Sequence, residues 1–319
     1  MSTQLFNRSD VARLVDPGTL FASMQSAFID YSTNREIPAR RFFSNLPGPG
    51  EAMVLMPGLA REIPAYTVKV NAKFEGQEPA IRGAVLLNDI ETGALLAVLD
   101  SFEVTAIRTG LSAAMATDKL ARSDATKVAV IGAGVQGVYQ LGYLEMLRKL
   151  DSVKVYDVSL QRAKAYVTRM RAEMDTEFEV CRTLATAVEE VDIVLMATWA
   201  KQPVLFSEMV PVGCHVTTLG ADGPGEAEVD AELIKNNLFV CDDRDLAIEM
   251  GAVGGVGMGT EVIDAELGEV LAGQHPGRIN LEQITVYGAV GLAFQDLVTA
   301  WQVYCSASDD KQQNYDFLA

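Results

Sequence analysis

The run Lys127-Val-Ala-Val-Ile-Gly132-Ala-Gly134-Val135-Gln136-Gly137 has the residue types and the spacing to seat a pyrophosphate. The β-branched segment Val128 to Ile131 feeds a glycine turn and then a helical stretch, so the helix N-terminus faces whatever lies over the turn. Gly132 suits the tight turn, Gly134 lets the backbone approach phosphate, and Gly137 lets the helix close on the strand. Asp157 stands twenty residues after Gly137, where a carboxylate takes the ribose 2′-OH and repels a 2′-phosphate. The expected cofactor is therefore NAD(H) rather than NADP(H), with Arg162 the nearby cation that bears on the 2′ position. Hydride transfer is the chemistry such a cofactor supplies.

These groups need a frame, and apolar periodicity outlines one. Val138, Leu141, Leu144 and Leu147 predict a helix over residues 135–149, and 152–156 a strand that closes a βαβ unit. Apolar runs at 192–198, 214–220, 238–242 and 284–287 predict further buried parallel strands, extending this domain to about residue 290. Thr198, Gly220 and Gly291, at or just beyond the ends of such runs, join the glycine turn as candidate cofactor contacts. Residues 36–100 have another texture. Segments 52–56, 65–70, 83–88 and 94–100, with 89–93 as a hairpin loop, predict an antiparallel sheet. Helices are expected at 8–31, at 102–122 with an interruption near Gly110, and at 292–304. The fold class is α/β: a Rossmann-type doubly wound parallel sheet over 116–291, plus an α+β domain with an antiparallel sheet from 1–115 and 292–319.

Composition narrows the partners. A chain of 319 residues, 49% hydrophobic and 22% charged, can bury two cores. Its net charge of −17 argues against nucleic acid and anionic membranes, and obliges any anionic substrate to find locally gathered cations. No apolar stretch reaches membrane-spanning length and the first ten residues lack a signal-peptide pattern, so a cytoplasmic protein is expected. Cys181, Cys214, Cys241 and Cys305 are far apart and mostly in apolar runs, which favours buried thiols over disulfides. His215 and His275 lack ligand-like spacing, so neither a metal nor a histidine base is expected.

Pro38-Ala-Arg40, Met56-Pro57, Val68-Lys69, Ile107-Arg108-Thr-Gly-Leu-Ser-Ala-Ala114, Gly132-Ala-Gly-Val-Gln-Gly137 and Gly220-Ala-Asp222-Gly-Pro-Gly225 occur in this order. In this the chain resembles the ornithine cyclodeaminase/μ-crystallin family over residues 10–305. The resemblance implies a homodimer acting on an α-imino or α-amino acid. It implies that Arg40 and Arg108 bind the substrate carboxylate, that Lys69 transfers a proton, and that Asp222 orients the reacting nitrogen. The residues alone leave alternatives open: Arg40 solvated with Arg41 turned inward, Lys69 facing outward from its strand, Asp222 serving a turn.

Within that resemblance the leading expectation is reduction of an α-imino acid by NADH to an L-amino acid. A cyclodeaminase-type lyase and a μ-crystallin-type binding protein are the alternatives. The ornithine-specific pattern carries a glutamate a few residues before Met-Pro, whereas Ala52-Met-Val-Leu-Met-Pro57 is apolar, with Glu51 out of register. Tyr287-Gly-Ala-Val-Gly291 also departs from the Asp-Ser-x-Gly common in the family, in a loop expected near the nicotinamide. The extra cations Arg41, Lys73 and Arg82 would suit a second carboxylate, as in iminosuccinate reduced to aspartate. Positions 69 and 73 of a strand face the same side.

Overall fold

The structure, a computed structural model, describes residues 2–34, 37, 40–48, 50, 52–74, 76–307 and 313–315. After β1 (Thr3–Phe6), the single helix expected at the N-terminus is two, α1 (Arg8–Leu14) and α2 (Pro17–Asn34). Each start has a local cause. Asn7 and Asp10 form a reciprocal capping box on α1. Pro17 opens α2, where a missing N–H costs nothing, and Asp16 accepts the Thr19 N–H at 2.8 Å. Then follow β2 (Phe42–Asn45), β3 (Ala52–Gly58), β4 (Ala65–Lys73), β5 (Ile81–Asp89), β6 (Leu95–Asp100) and α3 (Ser101–Leu120). The β5–β6 hairpin turns where expected: Asp89 Oδ1 accepts from Glu91 N, Thr92 N and Thr92 Oγ1, and Gly93 takes φ +70°.

Next come β7 (Lys127–Ile131), α4 (Val135–Leu147), β8 (Ser152–Tyr156), α5 (Leu160–Glu173), β9 (Glu177–Val180), α6 (Leu184–Val188), β10 (Ile193–Met196) and β11 (His215–Thr218). The chain continues through α7 (Ala231–Lys235), β12 (Leu238–Cys241), α8 (Arg244–Glu249), α9 (Ala252–Gly255), β13 (Ala265–Glu266), α10 (Leu267–Leu271) and β14 (Thr285–Gly288). It ends with α11 (Ala293–Ser306) and β15 (Gln313–Tyr315).

The chain divides into two compact units, Met1–Arg108 with Leu292–Ala319, and Thr109–Gly291. The first boundary falls between Arg108 and Thr109, seven residues before the expected one and, like it, inside α3. That helix runs through it without a linker, so composition carries no mark of the division. Nor is α3 interrupted at Gly110. A Cβ there would lie 2.4 Å from Tyr139 Cβ, so the glycine serves close approach to α4.

In the first unit the strands lie in the order β15-β1-β6-β5-β4-β3-β2. The sheet is antiparallel as expected except for β1 on β6, which is parallel. α11 packs over β3, β4 and β5 and against α2, with the Phe294 ring 5.1 Å from Phe28 and 5.3 Å from Tyr31. In the second unit the order β13-β12-β14-β11-β10-β7-β8-β9 is parallel throughout. Alternate residues feed two cores: Val128 and Val130 pack with α4 and α5 on one face, Ala129 and Ile131 with α6, α7 and α8 on the other. The sheet is doubly wound, and its order reverses between β7 and β10.

Candidate active site

One face of β4 is buried without being apolar. Ala65, Thr67, Lys69, Asn71 and Lys73 all turn inward along the two-residue period. Polar groups on such a face cost desolvation energy unless they find partners. Lys69 finds one on α11: its Nζ lies 2.8 Å from Asp296 Oδ1 and 2.7 Å from Oδ2, with Thr105 Oγ1 of α3 at 3.4 Å. Arg108, one helical turn beyond Thr105, brings Nε to 3.3 Å from Asp296 Oδ1 and donates from Nη1 to Gln295 Oε1 at 2.8 Å. Lys69 is 1% exposed and Asp296 0%. Asp296 lies in the first turn of α11, where the helix dipole favours a negative charge.

Burial lowers the Lys69 pKa from 10.5 to about 7; Asp296 opposes the shift, and the charges of Arg108 and Arg41 add to it. The cluster therefore combines guanidinium groups able to pair with a carboxylate and an ammonium that exchanges its proton near neutrality. Such a set can hold an acid by its carboxylate and move a proton at a neighbouring nitrogen.

The second unit carries the glycine turn expected to seat a dinucleotide. Gly132 adopts φ +100°, and a Cβ on it would lie 2.4 Å from Ala197 O, so only glycine fits. Gly134 caps α4, and its missing side chain leaves open space over the helix N-terminus. Val135, Gln136 and Gly137 form the first turn of α4, and Tyr166 Oη donates to Gly137 O at 2.8 Å. Asp157 follows β8 and reaches back to the turn: Oδ2 accepts from Ala133 N at 3.0 Å, and Oδ1 from Ser159 N at 2.8 Å and Arg162 Nε at 3.1 Å. An open, positively polarised helix end beside a fixed carboxylate fits the pyrophosphate and ribose of NAD. Asp157→Ser should lower the preference for NADH over NADPH by about tenfold, the worth of a hydrogen bond to a charged group. The ratio of kcat/KM for the two cofactors measures this, and an unchanged ratio would mean that another group senses the ribose.

Thr198 and Gly220 follow β10 and β11, and Asp222 sits half-buried in the next turn, its N–H on Gly220 O at 3.1 Å. Gly291 follows β14. Asp242, buried at the end of β12, accepts from Val290 N at 3.1 Å and Gly291 N at 2.6 Å. Burial raises its pKa to about 6 against those hydrogen bonds.

The structure brings Lys69 and Arg108 together, with Arg41 near enough for its charge to be felt at Lys69. Arg40 is exposed and Arg41 half-buried, the reverse of the order implied by the family likeness, because successive residues of an extended segment point to opposite sides. Pro38, Ala39 and Glu51 lie outside the described residues. Lys73 shares the buried face of β4 as expected. Arg82 is exposed and engaged locally, donating to Gln77 Oε1 and Pro79 O and lying over the Phe74 ring. Cys181, Cys214 and Cys241 are buried, whereas Cys305 is exposed near the end of α11. His215 is a core histidine between Thr285 Oγ1 and Thr217 Oγ1, its pKa held well below the usual value by burial.

Asp296, Gln295, Asp242 and Glu228 escaped the sequence analysis. Asp296, the one charged residue of α11, was a usable signal, since charges are rarely buried without a partner.

The family model for the ornithine cyclodeaminase/mu-crystallin family matches residues 3–311. The alanine dehydrogenase of Archaeoglobus fulgidus is 35% identical over 72% of this chain and 71% of its own. The solved dimer of an archaeal alanine dehydrogenase with bound NAD superposes with a TM-score of 0.91 at 30% identity, covering 99% of this chain and 100% of that one. Thermococcus litoralis Delta(1)-pyrroline-2-carboxylate reductase, in complex with NADH and L-proline, gives a TM-score of 0.90 at 29% identity, covering 96% and 97%.

Proposed function

The chain belongs to the ornithine cyclodeaminase/mu-crystallin family, and we propose that it is an NAD-dependent oxidoreductase acting on C–N bonds, reducing an α-imino acid to the L-amino acid. The observation that carries this reading is the buried Lys69, its pKa lowered to about 7, sharing the Asp296 carboxylate with Arg108. Arg108 and Arg41 hold the substrate carboxylate. Lys69 gives its proton to the imine nitrogen, and Asp222 orients that nitrogen. NADH, when bound, would supply the hydride that the imine carbon takes up. One proton and one hydride convert C=N to CH–NH. Gly132, Gly134, Val135, Gln136, Gly137 and Asp157 hold the cofactor, with Thr198, Gly220 and Gly291 as further contacts. The protein acts as a homodimer, in keeping with the archaeal alanine dehydrogenase dimer and with the exposed edge strand β2.

Among imino acids, a dicarboxylic one such as iminosuccinate suits this cluster best. Lys69 and Arg108 share Asp296, and Arg41 lies near enough for its charge to lower the Lys69 pKa, so a substrate carrying two carboxylates suits this local concentration of positive charge. Iminosuccinate should show kcat/KM about tenfold or more above the imine of pyruvate, the worth of one charge-assisted pair. NADH oxidation with each imine tests this. Equal values count against the dicarboxylic substrate, and no oxidation with any imino acid, with ammonia and proline formed from ornithine instead, overturns the reductase.

A further inference from the structure

Glu228 is a buried carboxylate with no place in the chemistry above, yet it gathers polar groups from two strand ends. Its Oε1 accepts the Thr198 N–H at 2.6 Å, and its Oε2 accepts Gly220 N at 2.6 Å and Thr218 Oγ1 at 2.7 Å. The side chain is delivered by a fixed backbone. Glu228 O accepts from both Val204 N and Leu205 N, and Asp230 N returns to Leu205 O. The fit is close enough to dictate a neighbour: a Cβ at position 220 would lie 2.5 Å from the Glu228 carboxylate and 2.5 Å from Thr198 O. Gly220 is thus required for closure onto Glu228, whatever else passes over it.

The place of this clasp in the sheet gives it a function. The glycine turn and Asp157 follow β7 and β8, on the β9-β8-β7 side of the switch point. That side is the adenosine-binding half of a doubly wound dinucleotide fold. Thr198 and Gly220 follow β10 and β11, in the other half. We propose that Glu228 is a positioning residue for the nicotinamide half of the cofactor, tying the Thr198 and Gly220 turns into one ledge at the carboxyl edge of the sheet. The proposal rests on the NAD-dependent reading and adds to it the residue that shapes the second mononucleotide site. Because both turns are held by one carboxylate, neither can shift without the other. An accurate nicotinamide pose is what a hydride-transferring site most needs.

Glu228→Gln tests this, since it keeps the size but replaces one acceptor oxygen by an NH2 that must face a backbone N–H. Calorimetric titration with NADH and, separately, with ADP-ribose, which lacks the nicotinamide, separates the two halves. The expected result is an NADH dissociation constant raised about tenfold with that for ADP-ribose changed less than about twofold. Equal weakening of both ligands, or of neither, overturns the proposal. Where Glu228→Gln lacks a cooperative melt, Thr218→Val decides: it removes one donor and should raise the NADH constant selectively by about threefold, and unchanged affinity for both ligands overturns the role. Wild-type protein that binds neither ligand would instead remove the NAD-dependent reading itself, and this role with it.

Discussion

Replacing Lys69 with alanine is expected to slow imine reduction by about 10²–10⁴-fold, the usual contribution of a positioned acid, while leaving NADH affinity within about twofold of wild type. The split follows from location. Lys69 lies on β4 of the first unit, bonded to Asp296 and Thr105, whereas the glycine turn and Asp157 belong to the second. A pH profile adds a second check. With a pKa of about 7, Lys69 carries its proton below that pH and loses it above. Reduction, which needs the proton, should therefore decline as pH rises through about 7, and oxidation of the amino acid should rise through the same range. Both limbs should vanish in Lys69→Ala. Collapse of NADH affinity alongside activity would show that the lysine supports the cofactor instead.

Asp296→Ala should be among the most destabilising single changes, because it leaves two buried cations without their carboxylate. Breaking a buried pair from one side costs roughly 3–5 kcal/mol. The loss should depend on pH, and its sign follows from linkage. Asp296 raises the folded-state pKa of Lys69 relative to a protein lacking it, so its effect through Lys69 is lost above about pH 7, grows as pH falls below that, and is full only below the lower pKa the lysine has without the carboxylate. It fades as pH rises and the lysine becomes neutral, leaving only the loss at Arg108. Urea unfolding at pH 6 and pH 8.5 should give a larger difference from wild type at the lower pH. Equal differences would mean that Asp296 acts only through Arg108. Asp296→Asn, which keeps the shape, should shift the decline in reductive rate to lower pH, since Lys69 then releases its proton more readily.

The glycine turn and the βαβ unit around it were legible because their parts are neighbours in the chain. Gly132, Gly134 and Gly137 lie within one turn of strand and helix, and Asp157 is one strand further on, so their spacing survives any rearrangement outside the βαβ unit. The proton-handling cluster was legible by half. Lys69 on a strand and Arg108 on a helix stand out as charges in apolar surroundings. Their shared carboxylate does not, because Asp296 is 227 residues from Lys69 and comes from a helix that returns only after the whole second unit. Which of Arg40 and Arg41 turns inward stayed open in the sequence. The two are adjacent and of one type, and only the fold, which leaves Arg40 exposed and Arg41 half-buried, tells them apart.

By itself the sequence determined the α/β class, six of the eight strands of the parallel sheet and the glycine turn between β7 and α4. All of these follow from periodicity and short-range spacing, which local backbone sterics enforce. Tertiary structure alone decided that Asp296 lowers the cost of burying Lys69, that Glu228 joins the Thr198 and Gly220 turns, and where α3 passes from one unit to the next. Those outcomes depend on groups brought together across long stretches of chain. A buried charge takes whichever partner the fold delivers, and no fixed spacing in the sequence records that meeting.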